Sequence, residues 1–194
     1  MKKYLIAAFL IISIAGFAQS TGKETHVGIS FGVGKSFIYE APVFDGPAYT
    51  GLGSFDLGLE IHRQLRRTIF FETGVNWHHS KLKVSYANLP GNSTGPGNGQ
   101  CNMLSIPSNV RFEIGDYFFI NGGGLINIDI TPNRIISSQT GLGMDIGLGV
   151  KLSVLHHFHV YINPYLNYYG LVLFNNEDIP QKLLDSGITI AIMR

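Results

Sequence analysis

Read as a string of apolar and polar positions, the chain is most regular between Gly141 and Val154. Every even residue from Leu142 to Val154 is apolar, and every odd one from Gly141 to Ser153 is glycine or polar. A period of two held this long makes a strand whose two faces meet different solvents. The polar face carries Gly141, Gly143, Gly147 and Gly149 with Asp145, Lys151 and Ser153, too little volume for a packed core. The bulky face must then meet apolar surroundings, and lipid is the simplest candidate.

The same inverted alternation recurs along the chain and predicts seven further strands: His26 to Ile38, Thr50 to His62, Thr68 to His79, Met103 to Ile114, Phe118 to Ile130, His159 to Val172 and Gly187 to Met193. The connections alternate in length. Arg63 to Arg67, Gly115-Asp116-Tyr117 and Leu155 to Phe158 are short. The segment through Pro42, Asp45, Gly46 and Pro47, and those from Ser80 to Asn102, Thr131 to Thr140 and Leu173 to Ser186, are long. Glycine, proline and asparagine density marks Ser80 to Asn102 as coil. Eight strands with long loops at one rim and short turns at the other predict an all-β fold: an eight-stranded antiparallel up-and-down transmembrane β-barrel. Closure follows because no sheet edge can stay unpaired in hydrocarbon. The outward faces carry no charge through their central parts, and Lys35, Lys81 and Lys83 fall at strand tips, where snorkelling is cheap. A soluble calyx would instead be lined with apolar bulk.

Composition narrows the setting. Charged residues are 14% of the 194, the formal net charge is +1, and nothing basic or acidic points to nucleic acid. With a single cysteine, Cys101, placed in a loop, neither an internal disulfide nor a multi-cysteine metal site is possible. Lys2 and Lys3, the apolar run Tyr4 to Ala15 and the small residues Gly16, Ala18 and Ser20 form a secretory leader, too short to span a bilayer. Residues 1–20 are therefore expected to be cleaved, after Ala18 or Ser20, leaving 21–194 as the barrel domain of the cell outer membrane. Outer-membrane lipid is the first expected partner, and a protein bound through the external loops is the second.

Leu104-Ser105-Ile106-Pro107, Asn121-Gly122-Gly123-Gly124 and Asp145-Ile146-Gly147-Leu148-Gly149 resemble the PorT-like outer-membrane β-barrel domain. The resemblance implies this fold and, for function, an accessory role in protein secretion. Such families usually close on an aromatic residue, whereas this chain ends Ile192-Met193-Arg194.

Parity sends a set of charges into the lumen. Glu60, Glu72, Arg111, Glu113 and Lys151 fall toward the short-turn half and are read as a paired network, with Asp56, Asp129 and Asp145 nearer the long loops. A gate and a catalytic carboxylate pair are the competing readings. His78 and His79 point to opposite faces, so the two cannot grip one ion well, and the turn His156-His157-Phe158-His159 reads as solvated. No nucleophile motif surrounds any serine. Arg63, Arg66 and Arg67, with Tyr117, Phe118 and Phe158, are read as an anchor at the inner leaflet. Asn92-Ser93-Thr94 matches a glycosylation sequon of low weight here. No cofactor, metal site or catalytic residue is expected. The function anticipated is a non-enzymatic scaffold or loop-mediated binder, with a narrow pore and a secretion accessory as alternatives.

Overall fold

A computed structural model describes residues 24–39, 48–85, 97–155, 158–174 and 181–194. The leader, Pro42 to Pro47, the sequon Asn92-Ser93-Thr94 and His156-His157 lie outside the described residues. Eight strands follow in order: β1 Thr25–Tyr39, β2 Ala48–Arg66, β3 Ile69–Ser85, β4 Gly97–Ile114, β5 Phe118–Asp129, β6 Gly141–Leu155, β7 Phe158–Leu173 and β8 Lys182–Met193. Each pairs antiparallel with the next, and β8 pairs with β1 to close the ring. Closure satisfies the backbone of every strand, which a sheet in hydrocarbon requires.

The pairing is staggered. His26 faces His62, and the register runs on through Glu72, Asn109, Gly123, Asp145, Asn167 and Asp185 to Ser36 on β1, ten residues beyond the start. Such a stagger tilts the strands and sets the barrel's width. It also carries β8 residues alongside β1 to β3, a neighbourhood that no local pattern encodes.

The outer face is an apolar belt. Val27, Ile29, Phe31, Val33, Leu57, Leu59, Ile61, Ile146, Leu148 and Ile190 are among its exposed residues. Tyr117, Phe118 and Phe158 stand out at the short-turn rim, and Phe37, Tyr39 and Phe174 at the other. Aromatic girdles on both sides of an apolar band mark the two interfaces of a bilayer. By the same rule the short turns are periplasmic and the long connections external.

Two expectations need correction. The segment Ser80 to Asn102 is not coil throughout: β3 runs on to Ser85 and β4 begins at Gly97, paired as far as Val84 with Gly97. Here the polarity of the strands reverses. Lys81, Lys83, Gln100 and Asn102 face out, while Leu82, Val84, Cys101 and Met103 are buried inside. Outside this stretch is water rather than lipid, so the usual bulk-in pattern returns. Cys101 is accordingly not in a loop; it lies in β4 and is 1% exposed.

The lumen also holds more bulk than parity allowed. Leu82, Cys101, Met103, Leu125, Ile136, Tyr169 and Leu183 form an apolar cap at the external end, with Ile38, Tyr49 and Ile135 packed on it. Phe119, Tyr161, Ala191 and Met193 cluster at the periplasmic end. Glycine is demanded at two bends. Gly115 takes φ 67° in the β4–β5 turn, and Gly170 takes φ 67° in β7, where the register with β6 slips.

Candidate functional site in the barrel lumen

Three polar layers lie between the two apolar ends. The periplasmic layer is centred on Arg111, which is 0% exposed. Its Nη1 is 2.8 Å from Glu72 Oε1 and 3.0 Å from His62 Nδ1. Its Nη2 is 3.6 Å from Glu113 Oε1, and Lys151 Nζ donates to Glu113 Oε2 at 2.7 Å. The guanidinium also lies 4.6 Å from the Phe70 ring centroid, 4.5 Å from that of Tyr161 and 5.5 Å from that of Phe119. A cation held on three rings and one close carboxylate is fixed in place.

His62 links the rest. Its Nδ1 accepts from Arg111, so its ring proton sits on Nε2 and donates to Glu60 Oε2 at 2.9 Å. Glu60 thus joins through an imidazole rather than the arginine. The second oxygen of Glu72 accepts from Asn121 Nδ2 at 2.9 Å. The five charges expected at this end do come together. His62 completes them and escaped the sequence reading, because it stood at the assumed end of its strand.

The middle layer is built from amides. Asn109 Nδ2 donates to Asp145 Oδ2 at 2.5 Å, and Ser105 Oγ donates to Asn127 Oδ1 at 2.8 Å. Asn109, Asp145 and Ser105 line a cavity of about 90 Å³ together with Asn76, Asn163 and Asn167. It has room for a few water molecules.

The three acids expected nearer the loops do not form one group. Asp145 belongs to the amide layer. Asp129 accepts from the backbone N–H groups of Thr131 and Gln139, at 2.9 and 3.1 Å, and so holds the β5–β6 connection over the mouth. Gln139, fully buried, donates to the carbonyl oxygens of Ser137 and Gln181 and accepts from Leu183 N. Asp56 sits in the external layer with His78, whose Nδ1 is 2.7 Å from its Oδ1. Tyr165 Oη lies 2.9 Å from Asp56 Oδ2 and 2.8 Å from Asp185 Oδ2. Ser36 and Ser54 both donate to Asp185 Oδ1, at 2.7 Å each. Asp185 was placed in a loop by its sequence and is instead a fully buried lumen residue of β8. Its outward neighbours Leu184 and Ser186 form no clear belt, which is why the pattern hid it.

No family model matches the chain, and neither does any curated relative. Solved structures do resemble it. The outer membrane protein OprG from Pseudomonas aeruginosa is 14% identical, with 89% of this chain and 93% of that one aligned at a TM-score of 0.50. Ail, the attachment invasion locus protein of Yersinia pestis, solved with the heparin analogue sucrose octasulfate, is 15% identical. It aligns over 88% of this chain and 99% of its own at a TM-score of 0.45. The outer membrane protein AlkL in lipid bilayers is 11% identical, over 90% and 91% of the two chains, at a TM-score of 0.49. The likeness is one of fold. A closed eight-stranded ring with an apolar, girdled outer face is an integral outer-membrane β-barrel. It falls among the small outer-membrane barrels, of which OprG is one with the same fold.

Proposed function

We propose that the protein is a closed, non-enzymatic scaffold of the outer membrane that binds a protein partner through its external side. The observation that carries this reading is the filling of the lumen. The Arg111 layer packed on Phe70, Phe119 and Tyr161 blocks one half, and the Leu82–Met103–Tyr169–Leu183 cap under the β5–β6 connection blocks the other. With transport obstructed, function moves to the surface beyond the lipid, where β2, β3 and β4 rise as an ordered extension. On the same reading residues 1–20 are a cleaved leader and 21–194 the working barrel. The lumen charges Glu60, Glu72, Arg111, Glu113 and Lys151 then serve stability rather than catalysis.

Planar bilayers test the closed lumen, with no steady conductance expected from the purified protein. A stable open channel in the wild type would replace the scaffold with a pore. Crosslinking in intact cells from a residue on the extension, such as Lys83, should trap a partner. A secretion accessory is the second reading, supported by the resemblance of the Leu104 to Pro107 and Asp145 to Gly149 motifs to PorT-like domains. Deleting the gene should then abolish export of a set of secreted proteins; an unchanged exported set refutes it.

A further inference from the structure

We infer that Asp56, His78 and Asp185 form a binding site for one divalent transition-metal ion in the external half of the lumen. The three residues come from β2, β3 and β8, and each offers a ligand atom within 4.8 Å of the others'. Asp56 and His78 are direct cross-strand partners, and the closing stagger brings Asp185 beside Ser36 and hence to them. His78 is thus joined to acids across the barrel wall rather than to His79, its neighbour in sequence.

The hydrogen-bond inventory points to a cation. Tyr165 Oη lies within bonding distance of an oxygen of both carboxylates. A phenol has one proton, so it can donate to only one of them. The other contact sets an oxygen lone pair against a carboxylate, which is repulsive in a buried site. Among the described residues, no lysine or arginine lies beside either acid. The cationic partner within reach is His78, which bonds Asp56 alone. The buried Asp185 and the half-buried Asp56 therefore share one donor too few and one positive charge too few.

Unpaired polar atoms border the same place. Ser80 is fully buried, and its Oγ has no partner; it stands directly across the sheet from Ser54, which donates to Asp185. His78 Nε2 is likewise buried without a partner. One imidazole nitrogen and two carboxylates, with phenol and hydroxyl oxygens at hand, are the nitrogen-and-oxygen donor set that suits zinc and its neighbours. Ser36 and Ser54, by holding Asp185, are the outer partners that orient a ligand. The apolar cap, with the Tyr169 ring 5.2 Å from that of His78 and tilted against it, covers the site from outside, so an ion would enter as the barrel folds.

The test refolds the full chain in detergent with Zn²⁺ or with a chelator, removes loose metal and measures zinc per chain and the unfolding midpoint. The wild type should retain about one zinc more than Asp185→Asn, and zinc should raise its midpoint by several degrees. His159→Gln, at the periplasmic end, should behave as the wild type. Should Asp185→Asn fail to fold, X-ray absorption at the zinc edge of the wild type decides the matter. One imidazole among oxygen ligands, with no sulfur from Cys101, is expected. Several imidazoles or a thiolate would overturn the site. Equal zinc in wild type and variant would do the same. So would a midpoint that moves with pH yet ignores zinc, because a shared proton would then supply the missing charge.

Discussion

Replacing Arg111 by alanine removes the guanidinium that faces Glu72 and Glu113 in the periplasmic layer. The guanidinium is 2.8 Å from Glu72 and 3.6 Å from Glu113, and it is fully buried. Breaking a buried pair by deleting one partner costs about 3–5 kcal/mol, since the surviving charge is left uncompensated. Here Glu113 keeps Lys151 at 2.7 Å and Glu72 keeps Asn121, which argues for the lower end. The amide cavity lies alongside, so water can reach Glu72, which again reduces the loss. Emptying the space between Phe70, Phe119 and Tyr161 adds a cavity cost. The net expectation is about 3 kcal/mol, or roughly 6–12 °C in midpoint for a chain of this size. The assay is the temperature at which the folded band on an unheated detergent gel gives way to the unfolded one. Arg111→Ala with Glu72→Gln should recover part of the loss, and Arg111→Lys should fall between, keeping charge but losing the fork and the rings. A single mutant that melts with the wild type would mean these charges face bulk water and the lumen is open.

Three further outcomes follow from other parts of the molecule. Leu148 is 60% exposed near the middle of β6, so Leu148→Arg should cost about 2–4 kcal/mol in lipid, and matching folded yields for Leu148→Arg and Leu148→Ala in liposomes would contradict the belt. Cys101 lies above that belt, and burial, with Asp129 nearby, pushes its thiol up to about 12. Because the thiolate is the nucleophile, maleimide labelling of the folded barrel should stay slow even as the pH rises past the usual thiol range, and become fast in urea; rapid labelling of the folded form would show an open cap. Gly170→Ala forces a side chain into φ 67° and against Gln139, so it should destabilise by about 1–2 kcal/mol by the same gel assay, whereas Gly53→Ala, with open space around it, should be near neutral.

What the sequence alone determined was the part governed by one solvent boundary. Where lipid lies outside, a period of two with bulk on one face is unambiguous, and Leu142 to Val154 needs no tertiary information to be read as a membrane strand. Strand number, order and the inward direction of Glu72, Arg111, Glu113 and Lys151 follow from that pattern and from the need to leave no edge unpaired. The pattern failed where the outside solvent changed. Leu82 and Cys101 turn inward above the lipid, so the rule that identified strands below made them look like loop. It was silent, too, on what fills a lumen, because Phe70, Phe119 and Met193 have lumen parity yet belong to no polar face. The grouping of Ser36, Ser54, Asp56, His78, Tyr165 and Asp185 came only from closure. Their separations along the chain reach 149 residues, from Ser36 to Asp185, and the ten-residue stagger accumulated around the ring decides which of them meet.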